Sequence, residues 1–272
     1  MVIVTHNRNK DCRETIESLL AGSELPDEII VVDDASSEPF KFEHKLVRVL
    51  RYDQELGLSE SRNEGIKTSK SDIIAFIDDD AIASKNWIKI IRKSFKNDID
   101  VIGGRVLPIY FTIPPKWWNP RIMGGYVGIH NNSIIGCNFA VRKKLFSKIG
   151  YFNPRLGRKG GTLLSAEEDE FFERINKFNG KILYIPEMIV YHKVLPYRLS
   201  IGYLVKRAWW QGKSDFIMQP STKKALPRII ARFMKYLILS FLSLLSIHHN
   251  SIVYLLKTIR QLGYLLSLIQ EH

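Results

Sequence analysis

Three adjacent carboxylates, Asp78-Asp79-Asp80, follow directly on the apolar run Ile73-Ile74-Ala75-Phe76-Ile77. A short run of this kind, rich in β-branched residues, reads as a strand buried on both faces of a parallel sheet. Adjacent acids repel one another, so placing them at the carboxyl end of a central strand calls for a cation. Hard oxygen ligands suit Mg2+ or Mn2+, with the phosphates of a ligand completing the shell. The plainer reading is an acidic loop that caps a helix beginning near Ser84. A second acidic cluster, Glu167-Glu168-Asp169-Glu170, opens a helix that carries Phe171, Phe172 and Ile175. The helix macrodipole favours acids at such a start, which accounts for some of the four but not for all. His192, just after the apolar segment 188–191, stands where it could act as a ligand, in proton transfer, or as a structural residue.

The elements that must position these groups alternate in type. Residues 2–4 read as a short buried strand, the polar loop Thr5-His6-Asn7-Arg8-Asn9 leads into a helix over 11–21, and 28–32 form a second strand ending in Asp33-Asp34. Two strands with polar clusters at the same end begin a ligand crevice. A third strand is expected at 46–51, a helix at 58–66 with Ser59 as N-cap, a helix at 84–96, and strands at 101–106 and 134–141. Two strands, 181–185 and 188–191, are expected around Pro186. This alternation predicts an α/β fold with a mostly parallel central sheet flanked by helices. Between the strands lie a long loop with Trp117 and Trp118, which could stack on a sugar or lipid or cover a sheet edge, and the basic glycine loop 157–162, which could close over phosphates or be a solvated turn.

Forty Lys and Arg against 28 Asp and Glu give a net charge of +12, which points to an anionic partner. No basic helix or aromatic stacking platform of a recognised type supports a nucleic-acid partner. Cys12 and Cys137 lie far apart without metal-ligand spacing and read as small buried residues in a reducing compartment. The N-terminal residues read as a strand rather than a signal peptide.

Together the segments Val4-Thr5-His6-Asn7-Arg8, Val31-Val32-Asp33-Asp34-Ala35-Ser36, Gly57 through Gly65, Phe76-Ile77-Asp78-Asp79-Asp80, Gly136-Cys137-Asn138-Phe139-Ala140, the acidic helix start and the stretch to His192 resemble a family 2 glycosyltransferase of the GT-A fold. The resemblance implies an inverting, metal-dependent transfer of a sugar from a nucleotide-diphosphate donor, a UDP-, GDP- or dTDP-sugar, to a glycan or lipid-linked acceptor. It assigns Thr5, Asn7 and Asp34 to the nucleoside, Arg62 to the diphosphate or base, and Asp78, Asp79 and Asn138 to the nucleotide-sugar site. Asp80 and Asp78 become metal ligands, Asp80 the preferred direct one, and His192 falls near the metal and diphosphate. The catalytic base falls at Glu168, after Glu167; the family usually has Asp there, and Asp169 competes for the role. That departure leaves open a catalytically inactive GT-A domain serving as a membrane-bound assembly partner. The tract from 157 to 214 further resembles a bacterial or archaeal subset concerned with polysaccharide or surface glycans.

Residues 1–219 would form the transferase domain and 220–272 a helical appendage. In the latter, Lys223, Lys224, Arg228, Arg232 and Lys235 precede an uncharged run, 236–247, with Arg228, Arg232, Lys235, Ser243 and Ser246 along one stripe. His248-His249-Asn250 breaks the run, and a second apolar helix is expected over 252–269. An interfacial helix pair on an anionic membrane surface is predicted, on the cytoplasmic face of the cell membrane, against the alternative of a hairpin packed on protein.

Overall fold

A computed structural model describes residues 1–96, 98–129, 133–245 and 251–271. In chain order the elements are Val2–Thr5 (β1), Asn9–Leu20 (α1), Ile29–Asp34 (β2), Val47–Tyr52 (β3), Leu58–Thr68 (α2), Ile73–Phe76 (β4), Ala81–Ala83 (β5), Trp87–Ser94 (α3) and Val101–Tyr110 (β6). There follow Pro120–Met123 (α4), Phe139–Arg142 (β7), Lys144–Ile149 (α5), Glu167–Lys177 (α6), Ile182–Val194 (β8), Ile201–Met218 (α7), Leu226–Leu245 (α8) and Ser251–Gln270 (α9). The chain divides into two compact units, one of Met1–Ile109, Gly128–Pro154 and Glu167–Lys193, the other of Tyr110–Val127, Arg155–Ala166 and Val194–His272.

The first unit is built on an eight-stranded mixed sheet of order β3-β2-β1-β4-β7-β6-β8-β5. From β3 to β4 the pairs are parallel, as the β-loop-α alternation predicts; β4–β7, β7–β6 and β8–β5 are antiparallel. Alternate side chains feed two cores. Ile3, Ala75, Ile102 and Ala140 face a cluster closed by Ile16 and Leu19 of α1 and by Trp87 and Ile91 of α3. Their neighbours Val2, Ile74, Phe76, Val101 and Phe139 face a cluster closed by Ile66 of α2, Phe146 of α5, and Phe171 and Ile175 of α6. Phe76 and Phe139 stack across β4 and β7 at 4.6 Å between centroids.

Several elements differ from the sequence expectation. The acids after β4 do not run into a helix at Ser84: β5 intervenes, and α3 starts at Trp87. Residues 134–138 lie outside β7. A single strand, β8, runs through Pro186 where two were expected.

In the second unit α7 packs on α9, and α8 on α9. The first contact is made backbone to backbone by two glycines: a Cβ on Gly212 would stand 1.9 Å from the Arg260 carbonyl oxygen, and one on Gly263 would stand 2.4 Å from that of Trp209. Of the expected stripe on α8, Arg228, Arg232 and Lys235 are exposed and Ser243 is buried. Ser240 and Ser243 are buried, whereas Met234, Leu237, Ile238, Phe241 and Leu242 are exposed. Ser246 and the His248-His249-Asn250 break lie outside the described residues. Among the described residues, α9 alone is long and apolar enough to cross a membrane.

In an open helix Gly→Ala gains about 1 kcal/mol. At Gly212 the overlap with α9 should reverse that sign, Gly212→Ala costing about 1–3 kcal/mol. Chemical denaturation of the variant measures it, and an unchanged or raised stability would contradict the crossing described here.

Candidate active site

The loop between β4 and β5 presents its three acids at the end of the parallel half of the sheet. Ligand atoms of Asp78, Asp80 and His192 all lie within 4.8 Å of one another. His192 is brought there by the β5–β8 register, which sets it opposite Ala81, and by the Lys193 N–H, which donates to the Asp80 carbonyl at 3.0 Å. Its Nε2 lies 3.1 Å from Asp80 Oδ1, and its buried Nδ1 has no hydrogen-bond partner. Gly128 lies against the ring, where a Cβ would stand 3.0 Å from His192 Cε1. Lys193 holds this strand end to α1 through Asp11, at 2.6 Å, and Glu14, at 2.5 Å.

Arg8 fills the other side of the acidic loop. Its Nη1 donates to Asp80 Oδ2 at 2.6 Å and to Asp79 Oδ1 at 3.2 Å. Thr5 donates to the remaining Asp79 oxygen at 2.9 Å. Burial pushes the Asp79 carboxyl up, to about 7; Arg8 pulls it down and Asp80 and Asp78 push it further up. Two carboxylate oxygens and one imidazole nitrogen in so small a space, beside a carboxyl that resists ionising, fit a divalent cation.

The second acidic cluster reaches the same sheet end through Arg62. This buried guanidinium lies 5.8 Å from the ring centroids of both Phe76 and Phe152. It donates to Glu167 at 2.8 Å, to Asp78 at 3.1 Å and to the Gly136 carbonyl at 3.1 Å. Burial works against its charge, but Glu167, Asp78 and Glu168 outweigh that and raise its pKa. Burial and the adjacent Glu168 push the Glu167 carboxyl up to about 8, against the pull of Arg62. Glu168 accepts the Gly136 N–H at 3.1 Å on Oε1, while its buried Oε2 has no hydrogen-bond partner. A Cβ on Gly136 would press on both Glu168 and Arg62, at 3.0 and 3.2 Å.

The other residues singled out from the sequence are placed differently. Asn7, in a left-handed conformation, accepts the Ser37 N–H and hydroxyl, tying the loop after β1 to that after β2. Asp34 is buried and accepts the Leu56 and Gly57 amides at 2.7 and 2.9 Å. Asn138 is fully buried, with its amide bonded to Trp87, Arg105 and Met188. Asp169 is exposed. Arg8 and Gly136 carried no assigned role in the sequence; contacts 71 and 72 residues apart in the chain have no signature in local spacing.

A sequence profile described as Glycosyl transferase family 2 matches residues 1–151. A relative named glucosyl-dolichyl phosphate glucuronosyltransferase, from Haloferax volcanii, is 30% identical over 239 residues, covering 80% of this chain and 76% of the relative. The chain belongs to glycosyltransferase family 2. The transferase is also 26% identical over 226 residues to the succinoglycan biosynthesis protein ExoM of Rhizobium meliloti, covering 76% of this chain and 71% of that one. Its fold is shared with the mannosyltransferase PcManGT of Pyrobaculum calidifontis, solved with GDP-Man and Mn2+, at a TM-score of 0.63 and 12% identity, over 99% of this chain and 86% of that one. The α/β GT-A architecture is thereby shown, and the chain is a glycosyltransferase.

A carboxyl whose pKa is higher in the folded protein than in the unfolded chain favours folding below the unfolded value and loses that contribution as pH rises through the folded one. For Glu167 the window runs from 4.5 to about 8. Stability of the metal-free transferase should fall across this range, and Glu167→Gln should flatten the slope. Urea titrations at a series of pH values read it directly; an unaltered slope in the variant would remove Glu167 as its source.

Proposed function

We propose that the transferase moves a sugar from a nucleoside-diphosphate donor to a hydroxyl of a glycan or lipid-linked acceptor, with inversion at the anomeric carbon. The observation that carries this reading is the convergence of Asp78, Asp80 and His192 within one cation-sized space beside the Arg62, Gly136 and Glu168 cluster. A divalent ion, Mn2+ or Mg2+, held by Asp78, Asp80 and His192 would neutralise charge on the diphosphate leaving group. The relative solved with GDP-Man and Mn2+ supports that choice of ligand class.

In this reading Glu168 is the base. Glu167 is engaged by Arg62 and Asp169 is exposed, whereas Glu168 keeps one oxygen without a partner and is oriented through the other by a backbone amide. Glu168 takes the proton of the acceptor hydroxyl as the hydroxyl oxygen bonds to the anomeric carbon. The bond from that carbon to the diphosphate oxygen breaks on the opposite side, and its electron pair leaves with the nucleoside diphosphate. Arg62 lies beside this group and fixes Asp78 and the Gly136 loop. Thr5, Asn7 and Asp34 shape the nucleoside end, Asn7 and Asp34 through the loops they tie together. Asp79 braces Thr5 and Arg8, and Asn138 supports the site from within the sheet rather than touching donor.

The acceptor reading, and a place on the cytoplasmic face of the membrane, draw support from the exposed apolar side chains of α8 and from the lipid-linked substrate in the name of the Haloferax relative. UDP, GDP and dTDP, each with and without Mn2+, should separate in a thermal-shift series, one nucleotide giving a metal-dependent rise in Tm. Asp80→Ala should abolish both that shift and turnover while leaving the circular dichroism unchanged. Glu168→Gln should keep the nucleotide shift and lower kcat by about 10²–10⁴-fold. Full turnover in either variant would overturn the assigned roles.

A further inference from the structure

We propose that a basic cavity at the base of the α8–α9 hairpin binds the phosphate of an anionic lipid headgroup while the exposed apolar face of α8 enters the acyl layer. The inference rests on the membrane-peripheral reading above and adds to it a ligand and a site.

The cavity, of about 620 Å3, lies among α7, α8 and α9 and is lined by Arg228, Arg232, Lys257 and Arg260, with Asp215 the one carboxylate among its lining residues. Asp215 is engaged by Arg260 in a two-pronged ion pair at 2.5 and 2.9 Å. Lys257 stands over the Tyr236 ring at 5.5 Å and the Tyr254 ring at 5.9 Å, which directs its ammonium group without neutralising it. Positive charge therefore exceeds negative charge on the walls. Guanidinium forks and an ammonium group around one cavity suit the tetrahedral oxygens of a phosphate.

Charge along the hairpin is segregated by height. The helices run antiparallel: Ser251 donates to the Ser243 carbonyl near one end, Lys257 meets Tyr236 midway, and Ile229 packs with Leu268 near the other. Between Lys235 and Lys257 the sequence holds no Asp, Glu, Lys or Arg. From Lys235 to the end of α8 at Leu245 the helix rises about 15 Å, half the ~30 Å thickness of a hydrocarbon core. In this half Leu237, Ile238, Phe241 and Leu242 are exposed by 42%, 53%, 62% and 53%, while Ser240 and Ser243 are buried. That is the reverse of a water-facing helix. An apolar half of α8 as deep as one leaflet, with a basic cavity at its base, sets the cavity at headgroup level. This is why the occupant is a lipid phosphate rather than a free anion.

Flotation of the full chain with phosphatidylcholine vesicles, with and without phosphatidylglycerol, tests the proposal. Arg232→Gln with Lys257→Gln removes two cavity charges; Lys224→Gln with Lys235→Gln removes two exposed charges that do not line it. Wild type should bind the anionic vesicles, and the cavity pair should weaken binding about tenfold more than the control pair, beyond the general attraction of basic residues to an anionic surface. Leu237→Ser with Phe241→Ser should also release the protein. Equal losses in the two charge pairs would overturn the cavity and leave the membrane reading standing; absence of wild-type binding to either vesicle would overturn both. Saturable uptake of inorganic phosphate, lost in the cavity pair and unaccompanied by vesicle binding, would make the occupant a free anion and overturn the lipid assignment. Thermal melts of all variants show that each is folded.

Discussion

Asp78, Asp79, Asp80, Glu167 and Glu168 crowd the end of the central sheet around the guanidinium groups of Arg8 and Arg62, and the surrounding structure is arranged to hold that negative charge together. Left to themselves these carboxylates would spread apart or protonate. Burial and like charge do push Asp79 and Glu167 upward, while Arg8 and Arg62 each join two acids from opposite sides of the cluster. A buried ion pair of this kind adds little net stability, but losing one partner is costly. Its value here lies in fixing where the acids point.

The fixing depends on long-range register more than on side-chain chemistry. His192 meets Asp80 because a three-residue strand, β5, pairs with the end of β8 and the next backbone amide closes on the Asp80 carbonyl. Lys193 then anchors that strand end to the start of α1, the same helix that follows Arg8. On the other side Arg62 is held between Phe76, the last residue of β4, and Phe152, so the packing of one core sets the height of its guanidinium. Core and site are thus coupled through the aromatic cluster.

What could be read from the sequence follows this division. Local features were legible: the buried runs ending in acids, the acidic start of α6, and the helices flanking them. The sheet's antiparallel half was not, because an antiparallel strand buried on both faces has the same apolar run as a parallel one. β5, three residues between an acidic turn and a helix, is too short to leave a pattern, and Pro186 lies inside β8 although its sequence signal is a break. Roles read by motif also needed geometry. Asn138 looks like a binding residue in sequence, yet its side-chain amide bonds to Trp87, Arg105 and Met188. Arg8 looked like part of a loop, and its partners lie far along the chain.

The division of Asp80 between its neighbours shows how such a cluster can be both stable and receptive. Arg8 takes one carboxylate oxygen at 2.6 Å, and the other faces His192 at 3.1 Å, within the space that Asp78 also reaches. A fixed positive charge therefore holds the carboxylate from behind and leaves its front oxygen toward the side where a cation fits. A carboxylate free at both ends could rotate, chelate with both oxygens or pair with its neighbours. Held on one side, it turns its other oxygen toward the space shared with Asp78 and His192. The same logic applies at Glu168, where a backbone amide fixes one oxygen and leaves the other turned inward.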